Sequence, residues 1–178
     1  MHNLLDAIRE HARRTPDKAA LIFEGQSISY AGLDRASRAV ACQLRKRDLL
    51  PGTIVPVLFP RGLEALVAAI GVLKAGAAFV MVNSHDPKER IDFQLKDAGG
   101  FPPVDKTFLS DCFQKESDVS CPEIKPAPHD PALVVYTSGS TGKPKGVVNA
   151  WYALNLALNA MILGRSDQDV FLSTLSHT

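Results

Sequence analysis

The chain has 178 residues, 46% of them hydrophobic and 22% charged, which suffices for one folded domain with a buried core and excludes a disordered polypeptide. Lys and Arg number 20 against 19 Asp and Glu, a formal net charge of +1, so bulk charge steers the chain toward neither nucleic acid nor an anionic membrane. Any phosphate it binds must be bound locally.

The N-terminus, Met1-His2-Asn3, has no basic segment followed by a long apolar run, so no secretory signal is predicted. The most apolar stretch, Leu63 to Val82, carries Lys74 and the glycines Gly71 and Gly76 and does not read as a membrane span. A cytoplasmic protein is expected. Cys42, Cys112 and Cys121 lack CxxC spacing and nearby histidine pairs, which predicts reduced thiols rather than a disulfide framework or a zinc site.

In chain order, Leu4, Leu5, Ile8 and Ala12 share one face behind a candidate cap at Asn3 and predict a short amphipathic helix ending before Pro16. Ala19 to Phe23 and Ser27 to Tyr30 flank Glu24-Gly25-Gln26 and predict a hairpin. Leu33, Ala36, Val40 and Leu44 repeat at helical spacing, with Arg45-Lys46-Arg47 read as a solvated helix end rather than a binding patch. After Pro51-Gly52, the apolar run Ile54 to Phe59 reads as a buried strand, Leu63 to Leu73 as a helix and Ala77 to Val82 as another strand. Pro87 opens a helix reaching Ala98, with Ile91, Leu95 and Ala98 on one face.

From Gly99 to Asp130 the periodicity is weak and prolines recur, so mostly irregular chain is expected, with one short strand or helix around Thr107 to Phe113. Leu133 to Tyr136 is a further buried strand, Tyr152 to Leu163 a helix and Val170 to Thr174 a last strand. Alternation of this kind predicts an α/β fold, a mostly parallel sheet flanked by helices.

The strand ending at Tyr136 runs directly into Thr137-Ser138-Gly139-Ser140-Thr141-Gly142-Lys143-Pro144-Lys145-Gly146. A polar loop at the carboxyl end of a strand lies where ligands of open α/β sheets bind. Its glycines let backbone N–H groups approach a ligand closely, its hydroxyls can donate to phosphoryl oxygens or help hold a magnesium ion, and its lysines offset negative charge. The Walker P-loop is excluded: it needs glycine where Thr137 stands and Ser or Thr where Pro144 stands.

YTSGSTGKPKGV, from Tyr136 to Val147, resembles the phosphate-loop signature of the adenylate-forming superfamily: nonribosomal peptide synthetase adenylation domains, acyl-CoA synthetases and luciferases. Ile28-Ser29-Tyr30-Ala31-Gly32-Leu33 is similar to that family's early "(L)TYxEL" motif. LKAGAAFVMVN, from Leu73 to Asn83, followed by Asp86-Pro87-Lys88-Glu89-Arg90, resembles the "LKAGxAYVPID…PxER" block typical of the amino-acid-activating branch.

The resemblance implies a carboxylate, most simply an amino acid, attacking the α-phosphorus of ATP to give an acyl adenylate and pyrophosphate, with later transfer to a carrier-protein or coenzyme A thiol. It implies that Thr137, Ser138, Gly139, Ser140, Thr141, Gly142, Lys143 and Lys145 hold ATP, with Thr141 the candidate contact for Mg2+ and His177 a candidate substrate-side residue. His85 and His129 are expected to be exposed bystanders. Aryl or fatty acids are the alternative substrate class.

Three departures stand out. Trp151 occupies a place where the family usually carries histidine, Val80-Met81-Val82-Asn83 replaces a run with proline and aspartate, and Gly99 to Val104 lacks the expected apolar strand. Family members are larger, two-domain proteins, so residues 1–178 are expected to form a partial N-terminal AMP-binding domain without the C-terminal domain. Such a chain is expected to be inactive alone. It would be completed by the remainder of the enzyme, or would persist as a remnant that binds nucleotide or protein, and exposed core would favour self-association.

Overall fold

A computed structural model describes residues 3–50, 52–114, 122, 124–137 and 144–162. Helix α1 (Leu4–Arg14) begins as expected at Asn3, whose side chain accepts from the Leu5 N–H at 3.0 Å. Strands β1 (Ala19–Phe23) and β2 (Gln26–Ser29) form an antiparallel ribbon turned by Glu24 and Gly25, both at positive φ. Ser29 then caps α2 (Tyr30–Arg45), accepting from the Gly32 N–H at 3.2 Å, so Tyr30 opens the helix instead of closing the strand.

The main sheet has the order β3 (Ile54–Phe59), β4 (Ala78–Asn83), β5 (Pro131–Thr137), β6 (Lys145–Ala150). β3 with β4 and β4 with β5 are parallel, and β5 with β6 is antiparallel. Helix α3 (Leu63–Lys74) connects the first two strands, while α4 (Lys88–Asp97) and α5 (Lys106–Gln114) lie between β4 and β5. The uncertain segment around Thr107 to Phe113 is thus helical. In place of a strand at Gly99 to Val104, Val104 makes a single parallel bridge to Val57, with the Leu58 N–H donating to its carbonyl at 3.0 Å. The strand expected at Val170 to Thr174 lies outside the described residues.

Helices cover both faces of the sheet, as parallel strands require. Val55, Val57 and Phe59 of β3 point into a core shared with Leu33, Val40 and Leu44 of α2, Val67 and Val72 of α3, and Phe108 and Leu109 of α5. Val80 and Val82 of β4 face the other way, with Val134 of β5 and with Ile91 and Leu95 of α4. α2 and α3 cross closely at Gly71, where a Cβ would lie 2.4 Å from Val40 Cγ1.

A third cluster joins Leu5, Leu73 and Ala132 to Trp151, the first residue of α6 (Trp151–Ile162). Leu4 N–H donates to Asn155 Oδ1 at 3.2 Å, fastening α1 to the same helix. Cys112 is buried, and Cys42 is disulfide-bonded, against the expectation of reduced thiols; spacing along the chain carries no information on pairing set by tertiary proximity.

Candidate functional site

β5 carries the candidate loop to the carboxyl end of the sheet, and β6 carries the chain back beside it. The last pairs of that ladder are Tyr136 with Gly146 and Thr137 with Lys145, so the two ends of the candidate stretch are paired as the arms of a hairpin. Sequence reasoning treated Lys145 and Gly146 as loop. β6 was missed because Lys145 to Val148 are exposed and show no apolar face against which a period-2 pattern could be read.

Of the residues expected to hold ATP, Thr137 and Lys145 are brought together across the hairpin. Thr137 Oγ1 approaches the Lys145 carbonyl at 3.5 Å, and both residues are exposed. Ser138, Gly139, Ser140, Thr141, Gly142 and Lys143 lie outside the described residues, as does His177. Among the described residues no group of three or more His, Cys, Asp or Glu is placed to hold a metal ion. The donors expected around the loop are hydroxyls, backbone N–H groups and lysines, a set that suits phosphoryl oxygens and offers magnesium few ligands of its own.

Trp151 is a core residue. Its side chain is buried against Leu5, Leu73 and Ala132, and the Trp151 backbone N–H donates to the Asp130 carbonyl at 2.9 Å. His85 and His129 are exposed.

The other two motif segments hold the scaffold together. Asp34, directly after the first motif, receives Lys74 of the second: Lys74 Nζ donates to Asp34 Oδ1 at 2.7 Å and to the Asp34 carbonyl at 3.1 Å. Arg38 adds a 2.7 Å contact to Asp34 Oδ2. Burial raises the Asp34 pKa, but the hydrogen bond and charge of Lys74, with Arg38 behind them, outweigh it and hold the carboxyl below its ordinary value. In the following block, Arg90 Nε lies 3.2 Å from Asp86 Oδ2, and Asn83 Nδ2 donates to Asp86 Oδ1 at 3.1 Å, fixing the turn from β4 into α4.

The chain also resembles known proteins over nearly its whole length. The family described as AMP-binding enzyme matches residues 8–100 and 102–178. Surfactin synthase subunit 3 of Bacillus subtilis (strain 168) is 34% identical over 186 residues, which cover 95% of this chain and 15% of that protein. Bacitracin synthase 1 of Bacillus licheniformis is 32% identical over 191 residues, covering all of this chain and 4% of that protein.

Among solved structures, the Klebsiella oxytoca NpsA N-terminal subdomain in complex with 3-hydroxyanthranilyl-AMSN superposes with a TM-score of 0.73 at 31% identity, over 85% of this chain and 41% of that one. The α-methyl-L-serine-AMP-bound nonribosomal peptide synthetase FmoA3 gives a TM-score of 0.76 at 28% identity, over 90% of this chain and 19% of that one. The chain therefore spans less than half the length of the relatives named here. Its α/β fold is that of the N-terminal part of adenylation domains, and the chain belongs to the AMP-binding enzyme family, with nonribosomal peptide synthetases among its relatives.

Proposed function

We propose that this chain carries the phosphate-gripping part of an enzyme that activates a carboxylic acid, an amino acid by preference, as its acyl adenylate at the expense of ATP. The observation that carries this reading is the hairpin: YTSGSTGKPKG is strung between the carboxyl end of a parallel strand and an antiparallel return strand, which brings Thr137 and Lys145 to one mouth. In the proposed reaction a carboxylate oxygen attacks the α-phosphorus, and the bond to the β-phosphate oxygen breaks to release pyrophosphate.

The chain's own contribution is to bind and orient. Hydroxyls of Thr137, Ser138, Ser140 and Thr141 and backbone N–H groups at Gly139 and Gly142 donate to phosphoryl oxygens, while Lys143 and Lys145 offset the charge that builds on the departing pyrophosphate. Donors fixed in advance matter because electrostatic stabilisation dominates phosphoryl-centre chemistry. Mg2+, arriving with the triphosphate, would supply further charge neutralisation, with Thr141 as the one protein contact assigned to it. The acyl group would pass to a carrier-protein or coenzyme A thiol in the cytoplasm, where ATP is supplied. No helix among the described residues is long and apolar enough to cross a membrane.

The relatives named above extend far beyond the length matched here, which favours a second statement: residues 1–178 do not turn over alone and need the remainder of an adenylating domain. Carboxylate-dependent ATP–pyrophosphate exchange, run with amino, aryl and fatty acids, tests both. Exchange is expected only when a complementary C-terminal segment is added. Exchange by residues 1–178 alone would remove the claim of incompleteness, and none after complementation would favour a nucleotide- or protein-binding remnant over the enzyme.

A further inference from the structure

The strand that enters the phosphate loop is held from outside the sheet. Tyr136 Oη donates to Asp97 Oδ2, in the last turn of α4, at 2.7 Å. The Tyr136 ring also meets the ring of Phe93, one turn earlier on the same helix, edge-on at 6.1 Å between centroids and 65° between planes. Across the hairpin Tyr136 pairs with Gly146, where a Cβ would sit 3.4 Å from Tyr136 Cε1 and 3.1 Å from Val134 Cγ1. The glycine of the Lys145-Gly146 pair therefore makes room for the ring. Burial first, then the hydrogen bond and charge of Asp97, push the Tyr136 phenol up, so it stays a neutral donor.

This tether acts where the hairpin is otherwise weakly held. Thr137, Lys145, Gly146, Val147 and Val148 are exposed, and β6 ends the order of the described sheet, so little packing fixes the two strand ends. Elements with few buried contacts open most readily. A donor set that must meet phosphate with preorganised geometry gains from an anchor one residue before it.

We propose that Asp97 is a positioning residue for phosphate binding: by holding Tyr136 it fixes the separation and direction of Thr137 and Lys145 at the mouth of the hairpin. The proposal rests on the phosphate-binding reading given above. Asp97 touches no phosphate itself; it acts through Tyr136.

The test is a titration of the full 178-residue chain with magnesium pyrophosphate and with magnesium ATP, followed by the amide signals of Thr137 and Lys145, at a temperature where each variant is folded. Tyr136→Phe and Asp97→Ala are expected to weaken both ligands about fivefold, the scale of one net hydrogen bond. Asp97→Asn keeps an acceptor oxygen and is expected to restore most of the affinity, a rescue that general destabilisation would not produce. If the unaltered chain binds and all three variants bind equally well, or if Asp97→Asn is as weak as Asp97→Ala, the positioning role is overturned while phosphate binding stands. If the unaltered chain binds neither ligand, the phosphate-binding reading falls and takes this proposal with it.

Discussion

At the scale of single residues, Asp34 and Lys74 form a largely buried ion pair that ties α2 to α3. Their side chains are 14% and 12% exposed, so water screens the pair poorly and neither charge can be left alone at small cost. Asp34→Ala should destabilise the chain by about 3 kcal/mol, because it strands the Lys74 ammonium between α2 and α3. Urea denaturation measures this. The same pair gives a pH dependence of known sign: a carboxyl whose folded pKa lies below its unfolded one contributes stability above the unfolded value and loses it as pH falls through the folded one. Stability of the unaltered chain should therefore decline below about pH 4. The Asp34→Ala variant should show a shallower decline.

At the scale of elements, the crossing of α2 and α3 depends on one missing methyl group. A Cβ at Gly71 would lie 2.4 Å from Val40 Cγ1, 2.5 Å from Val40 Cβ and 2.9 Å from the Ser37 carbonyl, and a backbone atom cannot step aside as a side-chain tip can. Gly71→Ala should cost about 2 kcal/mol through overpacking, despite the better helix propensity of alanine. A thermal melt that rises would contradict this. The elements themselves were largely legible, because α1, α2, β3, α3 and β4 carry clean periodic patterns or unbroken apolar runs. β6 was not, since its valines are exposed and its lysine and glycine read as loop. Nor could the sequence show that Trp151 fills a core gap against Leu5 and Leu73, or that Asp97 reaches Tyr136 from 39 positions away; both contacts are made by tertiary packing. Of the candidate site, the residue types and their place after a strand were visible, and the hairpin geometry was not.

At the scale of the whole molecule, the apolar surface is unevenly covered. Val135 and Val147 are cross-strand partners on one face of the β5–β6 hairpin, 45% and 47% exposed, and Tyr152 and Leu156 of α6 are about as open. Exposed apolar groups of this kind drive association. Sedimentation velocity should show self-association of the isolated chain that Val135→Thr with Val147→Thr reduces, and a monodisperse monomer at high concentration would contradict it. The central claim, that the hairpin from Tyr136 to Gly146 grips the phosphates of ATP, is tested most directly by calorimetric titration of the chain with magnesium ATP beside its Thr141→Ala and Lys143→Ala variants. The account predicts binding by the unaltered chain and about tenfold weaker binding by each variant, the worth of one charge-assisted contact. Unchanged affinity in both variants would contradict it.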